Sequence, residues 1–145
     1  MIALIQRVNR ARINIDDKLY AEINRGVLVF LGVEKQDTDS NANKLLDKIL
    51  AYRVFADSEG RMNLNLKDVE GDLMLVSQFT LAADTNSGLR PSFSSAMEPS
   101  VAKEIYNKLV ATAKSKHGVV RSGQFAADMQ IELENDGPVT FMLEI

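Results

Sequence analysis

The chain carries few side chains capable of nucleophilic, acid–base or metal chemistry. Among its 145 residues there is one histidine, His117, and no cysteine. A Ser–His–Asp or Cys–His constellation can therefore be assembled nowhere but around His117. Disulfide frameworks, thiolate zinc sites and iron–sulfur clusters are excluded outright. His117 itself follows Lys114 and Lys116 and precedes Gly118, the pattern of a solvated helix end whose dipole favours cations. No His-Glu-x-x-His, P-loop or Gly-x-Gly-x-x-Gly motif occurs. Asp37-Thr38-Asp39 stands just before an apolar-periodic run and reads as a helix cap, not a metal site. An enzyme with this inventory works with hydroxyls, backbone amides and positioning.

Two stretches could supply such groups. Ser77-Gln78-Phe79-Thr80 closes an apolar run and opens a long loop. Strand ends that feed loops commonly carry functional polar groups, but from composition alone the favoured reading is that Ser77 and Thr80 tie off backbone groups where the sheet stops. Asn135-Asp136-Gly137-Pro138 reads first as a hairpin turn, because Asp-Gly accommodates positive φ at both central positions. Pro138 complicates that reading: it removes a donor where a return strand would begin. Arg90-Pro91-Ser92-Phe93 reads as a rigid turn with an aromatic tucked beneath it.

The elements that must hold these residues follow from periodicity. Apolar–polar alternation over residues 2–8 and 11–15 predicts strands, with a turn at Asp16-Asp17-Lys18 and another strand over Leu19 to Ile23. Val27 to Val33 is apolar on both faces, as a central, doubly covered strand requires. Ala42, Leu45, Leu46, Ile49 and Leu50 fall at helical spacing behind caps at 37–40. Tyr52 to Phe55 predicts a short strand and Leu73 to Gln78 a second buried one. Residues 82–99 show no period and form a long loop, the kind that is usually functional or disordered. Pro99 then opens a helix with Ala102, Ile105, Tyr106, Leu109, Val110 and Ala113 on one stripe. A strand over Val119 to Gln124 and alternation through Met129, Ile131, Leu133, Val139, Phe141 and Leu143 complete the chain. The sum is one mixed α/β domain, β-sheets backed by a helical layer.

Composition agrees. The chain is 46% apolar and 26% charged, with a net charge of −3. That is globular and argues against a simple electrostatic binder of nucleic acid. The longest apolar run, Val27 to Val33, is too short to span a bilayer, and residues 1–12 lack a signal peptide's unbroken apolar core. A reducing, cytoplasmic home is the expectation.

Taken together, several stretches carry a resemblance. Asn63-Leu64-Asn65-Leu66, Ser77-Gln78-Phe79-Thr80-Leu81-x-Ala83-Asp84, Gly88-x-Arg90-Pro91-Ser92-Phe93, and Ala127-Asp128-Met129 followed by Asn135-Asp136-Gly137-Pro138-Val139-Thr140 occur in this order. End to end, the chain resembles the D-aminoacyl-tRNA deacylase family. It departs from the family's usual pattern at Ser122 (commonly Thr), Ala126 (commonly Gly), Ser87 (commonly Lys) and Asn24 (frequently Gly).

The resemblance implies a β/β/α domain over residues 1–145. It implies a homodimer that hydrolyses the ester joining a D-amino acid, or glycine as on glycyl-tRNA(Ala), to the terminal adenosine of tRNA. Ser77, Gln78, Phe79 and Thr80 would form one wall of the site, and Phe125 and Met129 would pack around the adenine. Gly137-Pro138 would form a cis peptide reaching into the partner's site and excluding L side chains. Backbone donors near Phe79 and Thr80 fit a developing oxyanion, with the substrate's 2′-hydroxyl helping to position water and Thr80 as an alternative nucleophile. No metal or cofactor is implied. A basic face for tRNA would come from Lys103, Lys108, Lys114, Lys116 and Arg121, with Arg7, Arg10 and Arg12 as alternatives.

Overall fold

The computed structural model describes residues 1–86 and 88–145, so Ser87 lies outside the described residues. Its strands are β1 (Ile2–Ile15), β2 (Lys18–Ile23), β3 (Gly26–Gly32), β4 (Phe55–Ala56), β5 (Met62–Leu64), β6 (Asp72–Ser77), β7 (Val120–Ser122) and β8 (Gln130–Glu144). Its helices are α1 (Asp39–Ala51) and α2 (Pro99–Lys116). The main sheet runs β2-β1-β3-β6-β7, with β8 along the other side of β1, and β4-β5 form a separate ribbon.

Three layers arise from the alternation of side chains along the central strands. On β3 and β6, Val27, Val29, Leu31, Leu73 and Leu75 face one core with the buried stripes of both helices. Leu28, Met74 and Val76 face the opposite side, against Val8, Ala11, Ile13 and Ile23. This explains why β3 reads as apolar on both faces. β1 serves both layers. Its first half pairs with β3 and turns Ala3 and Ile5 towards the helices, whereas Ala11 and Ile13 beyond residue 10 face the second core. The inversion coincides with irregular register between Val8 and Arg10 in the β1–β8 pairing, the kink a bulge introduces. The result is the expected mixed sheet arrangement backed by helices.

The predicted caps hold. Thr38 caps α1 in a reciprocal capping box with Asn41, while Asp37 accepts from the Glu34 amide at 2.7 Å. Pro99 occupies the first turn of α2, whose cap is the Glu98 carboxylate accepting from the Ser100 and Val101 amides. His117 closes α2, its Nε2 donating to the Gly71 carbonyl at 2.7 Å. Asp16 and Asp17, with φ of 50° and 59°, make the tight β1–β2 turn. No helix among the described residues is long and apolar enough to cross a membrane.

Three local expectations need correction. The strand predicted over Tyr52 to Phe55 is only Phe55–Ala56, because Tyr52 caps the end of α1. The strand predicted over Val119 to Gln124 is Val120–Ser122. Asn135–Pro138 is not a hairpin turn. β8 keeps one direction and pairs with β1 on both sides of the segment, Gln6 opposite Thr140 and Val8 opposite Asn135. Four positions of β8, residues 136–139, thus stand against Arg7 alone, and the surplus loops out. The Asp-Gly signal reports local backbone freedom but says nothing of which strand lies alongside.

Candidate active site

Ser77 is the last residue of β6, and the Gln78 amide still bonds to the Leu31 carbonyl of β3 at 2.7 Å. The chain then winds into a single 3-10 turn over Phe79–Ala82. A turn that begins at Phe79 leaves its first amides without an internal acceptor. The N–H groups of Phe79 and Thr80 have no protein partner among the described residues. The Gln78 side-chain amide donates to Thr80 Oγ1 at 2.6 Å, fixing the hydroxyl beside them. Phe79 stands 61% exposed, its ring 4.9 Å from that of Phe93.

Phe93 is brought there by the long loop. Asp84 and Ser92 exchange two backbone bonds, of 2.8 and 3.0 Å, closing off residues 85–91. The following segment is laced back to the end of β3, with Lys35 bonding to Ser95 and Met97 to Val33 at 3.0 Å each. Residues 84 and 92–97 of the aperiodic stretch are therefore positioned by backbone bonds, which hydrophobic patterning does not record.

The opposite wall is the segment after β7. Gly123 lies close under Met129: a Cβ there would stand 2.7 Å from Met129 Sδ, and that side chain would have to shift. Phe125 packs 5.9 Å from the buried ring of Tyr106. Tyr106 Oη reaches the carbonyls of Leu75 at 2.9 Å and Gly123 at 3.1 Å, joining β6 to this wall. Burial raises the Tyr106 pKa above the ordinary tyrosine range, with the nearby Tyr20 adding to it. The hydroxyl stays a donor at neutral pH. Ala126, despite its Cβ, takes a φ of +62°.

Between the walls lies a groove of about 810 Å³, lined by Ser77, Gln78, Phe79, Phe93, Phe125 and Met129 among others. Its lining is mostly apolar, with Lys35, Ser77, Gln78, Glu98 and Asp128 as its polar members, which suits a flat aromatic ligand with a polar reacting centre. Thr80 does not line it directly but is tied to Gln78, which does. Phe93, Met97 and Lys35 also border it. Sequence reading gave Phe93 a plain structural role and passed over the other two. It also placed Tyr106 only in a core stripe, since periodicity cannot show that a buried hydroxyl bridges two walls.

Gly137 and Pro138 are elsewhere in the chain. Their peptide bond is cis and Gly137 has a φ of +139°. The looped-out segment is held by Arg7, which donates to the Asp136 carbonyl at 3.1 Å and pairs with its carboxylate at 3.0 Å. Asn135 closes it from within, accepting from the Val139 amide at 2.8 Å. Arg7 lies opposite Val27 at the start of β3, whereas Ser77 lies opposite Leu31 near its end. Neither Gly137 nor Pro138 lines the groove. One chain brings Ser77, Gln78, Phe79, Phe125 and Met129 together and leaves this pair apart from them.

This layered fold with a groove at the end of β6 has known counterparts. The family model described as D-Tyr-tRNA(Tyr) deacylase matches residues 4–144, and the chain belongs to that family. It is 56% identical over 145 residues to the D-aminoacyl-tRNA deacylase of Cellvibrio japonicus (strain Ueda107), covering 100% of this chain and 99% of that one. It is 55% identical to the protein of that name from Pseudoalteromonas translucida (strain TAC 125), covering 100% of both. Among solved structures, the c-Myc DNA Unwinding Element Binding Protein superposes with a TM-score of 0.96 at 34% identity, covering 100% of this chain and 99% of that chain. A probable eukaryotic D-amino acid tRNA deacylase shares the fold, with a TM-score of 0.89 at 17% identity over 99% of this chain and 98% of that chain.

Proposed function

We propose that this protein hydrolyses the ester linking a D-amino acid to the 3′-terminal adenosine of tRNA, clearing mischarged tRNA in the cytoplasm as a step of translation quality control. The observation that carries the reading is the groove itself. The Phe79 and Thr80 amides, without a protein partner among the described residues, belong to the turn at its edge, and Phe125 and Met129 border it from the other wall.

In this reading the adenine lies between Phe125 and Met129, and the ester carbonyl points at the two amides. Those donors stabilise the oxyanion that forms when water adds to the carbonyl. An α-ammonium ester is already activated, so no strong base is required of the protein. The substrate's 2′-hydroxyl assists the water, and Ser77 and Gln78 shape the wall that positions it. Thr80 is the weaker nucleophile candidate, because its oxygen already accepts from Gln78.

Selection of the D configuration is assigned to Gly137-Pro138 of a second subunit. The position of that pair, away from the groove of its own chain, supports a homodimer in which each copy completes the other's site. Backbone carbonyls there would accept the α-ammonium and leave no space for an L side chain, a filter blind to side-chain identity. Glycine, lacking a side chain, would also pass, which extends the reading to glycyl-tRNA(Ala). Side-by-side deacylation of D-Tyr-tRNA and L-Tyr-tRNA tests it: rapid release from the D form alone is expected, and equal rates or no release would refute it.

A further inference from the structure

The cations named for a basic face are not equivalent once placed. Lys108 pairs with Asp39 at 2.8 Å and Lys116 with Asp47 at 2.6 Å, both on α1. Arg7 is held by Asp136 at 3.0 Å, Arg10 by Glu134 at 3.3 Å, and Arg12 lies 3.9 Å from Glu22. Lys103, near the start of α2, has no carboxylate partner among the described residues, and neither do Lys114 and Arg121. The latter two meet at one place, a cleft of about 400 Å³ between the end of α2, β7 and β2. Tyr20, 50% exposed, completes its wall, and no acidic residue lines it.

The cleft also sits on an unpaired sheet edge. β7 is the last strand of the sheet. Its bonds to β6 include Leu73 N–H to Val119 and Gly123 N–H to Leu75. By the alternation of a parallel ladder, the backbone groups of Val120 and Ser122 point away from β6 and towards β2; Val120 is buried and its carbonyl faces the Arg121 guanidinium at 3.5 Å, whereas Ser122 is half-buried. Two cations without carboxylate partners and an exposed aromatic are the components with which single-stranded nucleic acid is held. Beyond β7 the same segment reaches Phe125 in the groove wall, four residues after Arg121.

We infer that the cleft at the free edge of β7, with Lys114, Arg121 and Tyr20, binds the phosphodiester backbone of the RNA strand whose terminal nucleoside occupies the groove. This rests on the tRNA-ester reading above and adds to it the path by which the strand arrives. Strand addition by a protein fits less well, since β7 is three residues long and flanked by like charges.

The test is binding of uncharged tRNA across a salt titration, which needs no catalysis. Each phosphate contact contributes about one unit to the slope of log affinity against log salt. The K114A/R121A double variant should bind more weakly and with a slope shallower by about two units. K108A/K116A, which removes two cations already paired to α1, should leave the slope unchanged. Unaltered binding in K114A/R121A would overturn the inference, as would an equal loss in K108A/K116A or equal affinity for a DNA duplex. Hydrolysis of a D-aminoacyl adenosine, too short to reach the cleft, should be the same in wild type and K114A/R121A. If wild type fails on that small ester too, the hydrolase reading falls, while the tRNA titration still decides the cleft.

Discussion

The hydroxyl of Tyr106 stands 3.1 Å from the carbonyl of Gly123, and through that contact helix α2 sets the position of the groove's far wall. Its single proton serves two acceptors, since the Leu75 carbonyl lies at 2.9 Å. Leu75 also receives the Gly123 amide at 2.8 Å, so the Gly123 carbonyl is the group more dependent on Tyr106.

Tyr106→Phe should therefore cost about 1 kcal/mol, read as a fall in Tm of about 4 °C. KM for the aminoacyl ester should rise more than kcat falls, because the wall is displaced and the amides at Phe79 and Thr80 are not. The pH dependence gives a second readout. A tyrosine whose folded pKa lies above its ordinary value of 10.0 contributes stability fully present below that pH. That contribution is lost as pH rises from 10.0 through the folded value. Wild type should lose stability in that range more steeply than Tyr106→Phe, and parallel curves would count against the buried donor.

A side chain at Gly137 would be strained. The residue's φ of +139° disfavours L residues, and a Cβ would sit 2.7 Å from Val139 Cγ2 and 3.0 Å from the Val139 amide. Gly137→Ala should remain folded, because the segment loops out of the sheet, yet lose roughly a hundred-fold in D-aminoacyl-tRNA hydrolysis through a displacement of about 1 Å. Circular dichroism beside a deacylation assay decides it. Full, D-selective activity in a folded variant would remove this segment from the site.

Sedimentation of the wild type at micromolar concentration should give a dimer, near twice 16.1 kDa. The expectation follows from the separation of Gly137-Pro138 from the groove of its own chain. A monomer with full chiral selectivity would exclude any contribution in trans.

His117→Ala should leave deacylation within a few-fold of wild type, and EDTA should have no effect. The imidazole donates to the Gly71 carbonyl at 2.7 Å and lies at the far end of α2 from the groove. Its loss should appear as about 1 kcal/mol of stability in a urea titration. A large loss of activity in either experiment would mean that His117 or a metal takes part in the reaction.

Ala126→Gly should stabilise the protein. A Cβ at φ +62° costs roughly 1–2 kcal/mol, and glycine's extra freedom in the unfolded chain returns about 0.5–1 kcal/mol of that. The net gain of about 0.5–1 kcal/mol should show as a higher Tm, and a lower one would mean that the methyl group makes a contact of value.

Much of this architecture was legible in the residues. β3 announced a central position by being apolar on both faces, and the stripes of α1 and α2 matched their buried sides. The inversion of β1 past Val8 was not legible, because alternation on either side of residues 9–10 looks like two strands. Nor was the fate of Asn135–Pro138, where local turn chemistry is real but pairing with β1 decides the path. The groove residues Ser77, Gln78 and Phe79 stood out as polar and aromatic groups at the end of a buried run. Lys35 and Met97 did not, because backbone bonds across the long loop, invisible to periodicity, carry them there.

The looped-out segment of β8 has both feet clamped to the same strand, by Gln6 opposite Thr140 and Val8 opposite Asn135. Its ends cannot drift apart without breaking the longest ladder in the sheet. Arg7 and Asn135 then remove most of the freedom that remains between them. The segment is thus ordered once, when the chain folds, and not again at each encounter with a ligand. A surface prepared in this way loses little entropy on contact. It can reject a misfitting group by rigidity, where a mobile loop would yield and accommodate it.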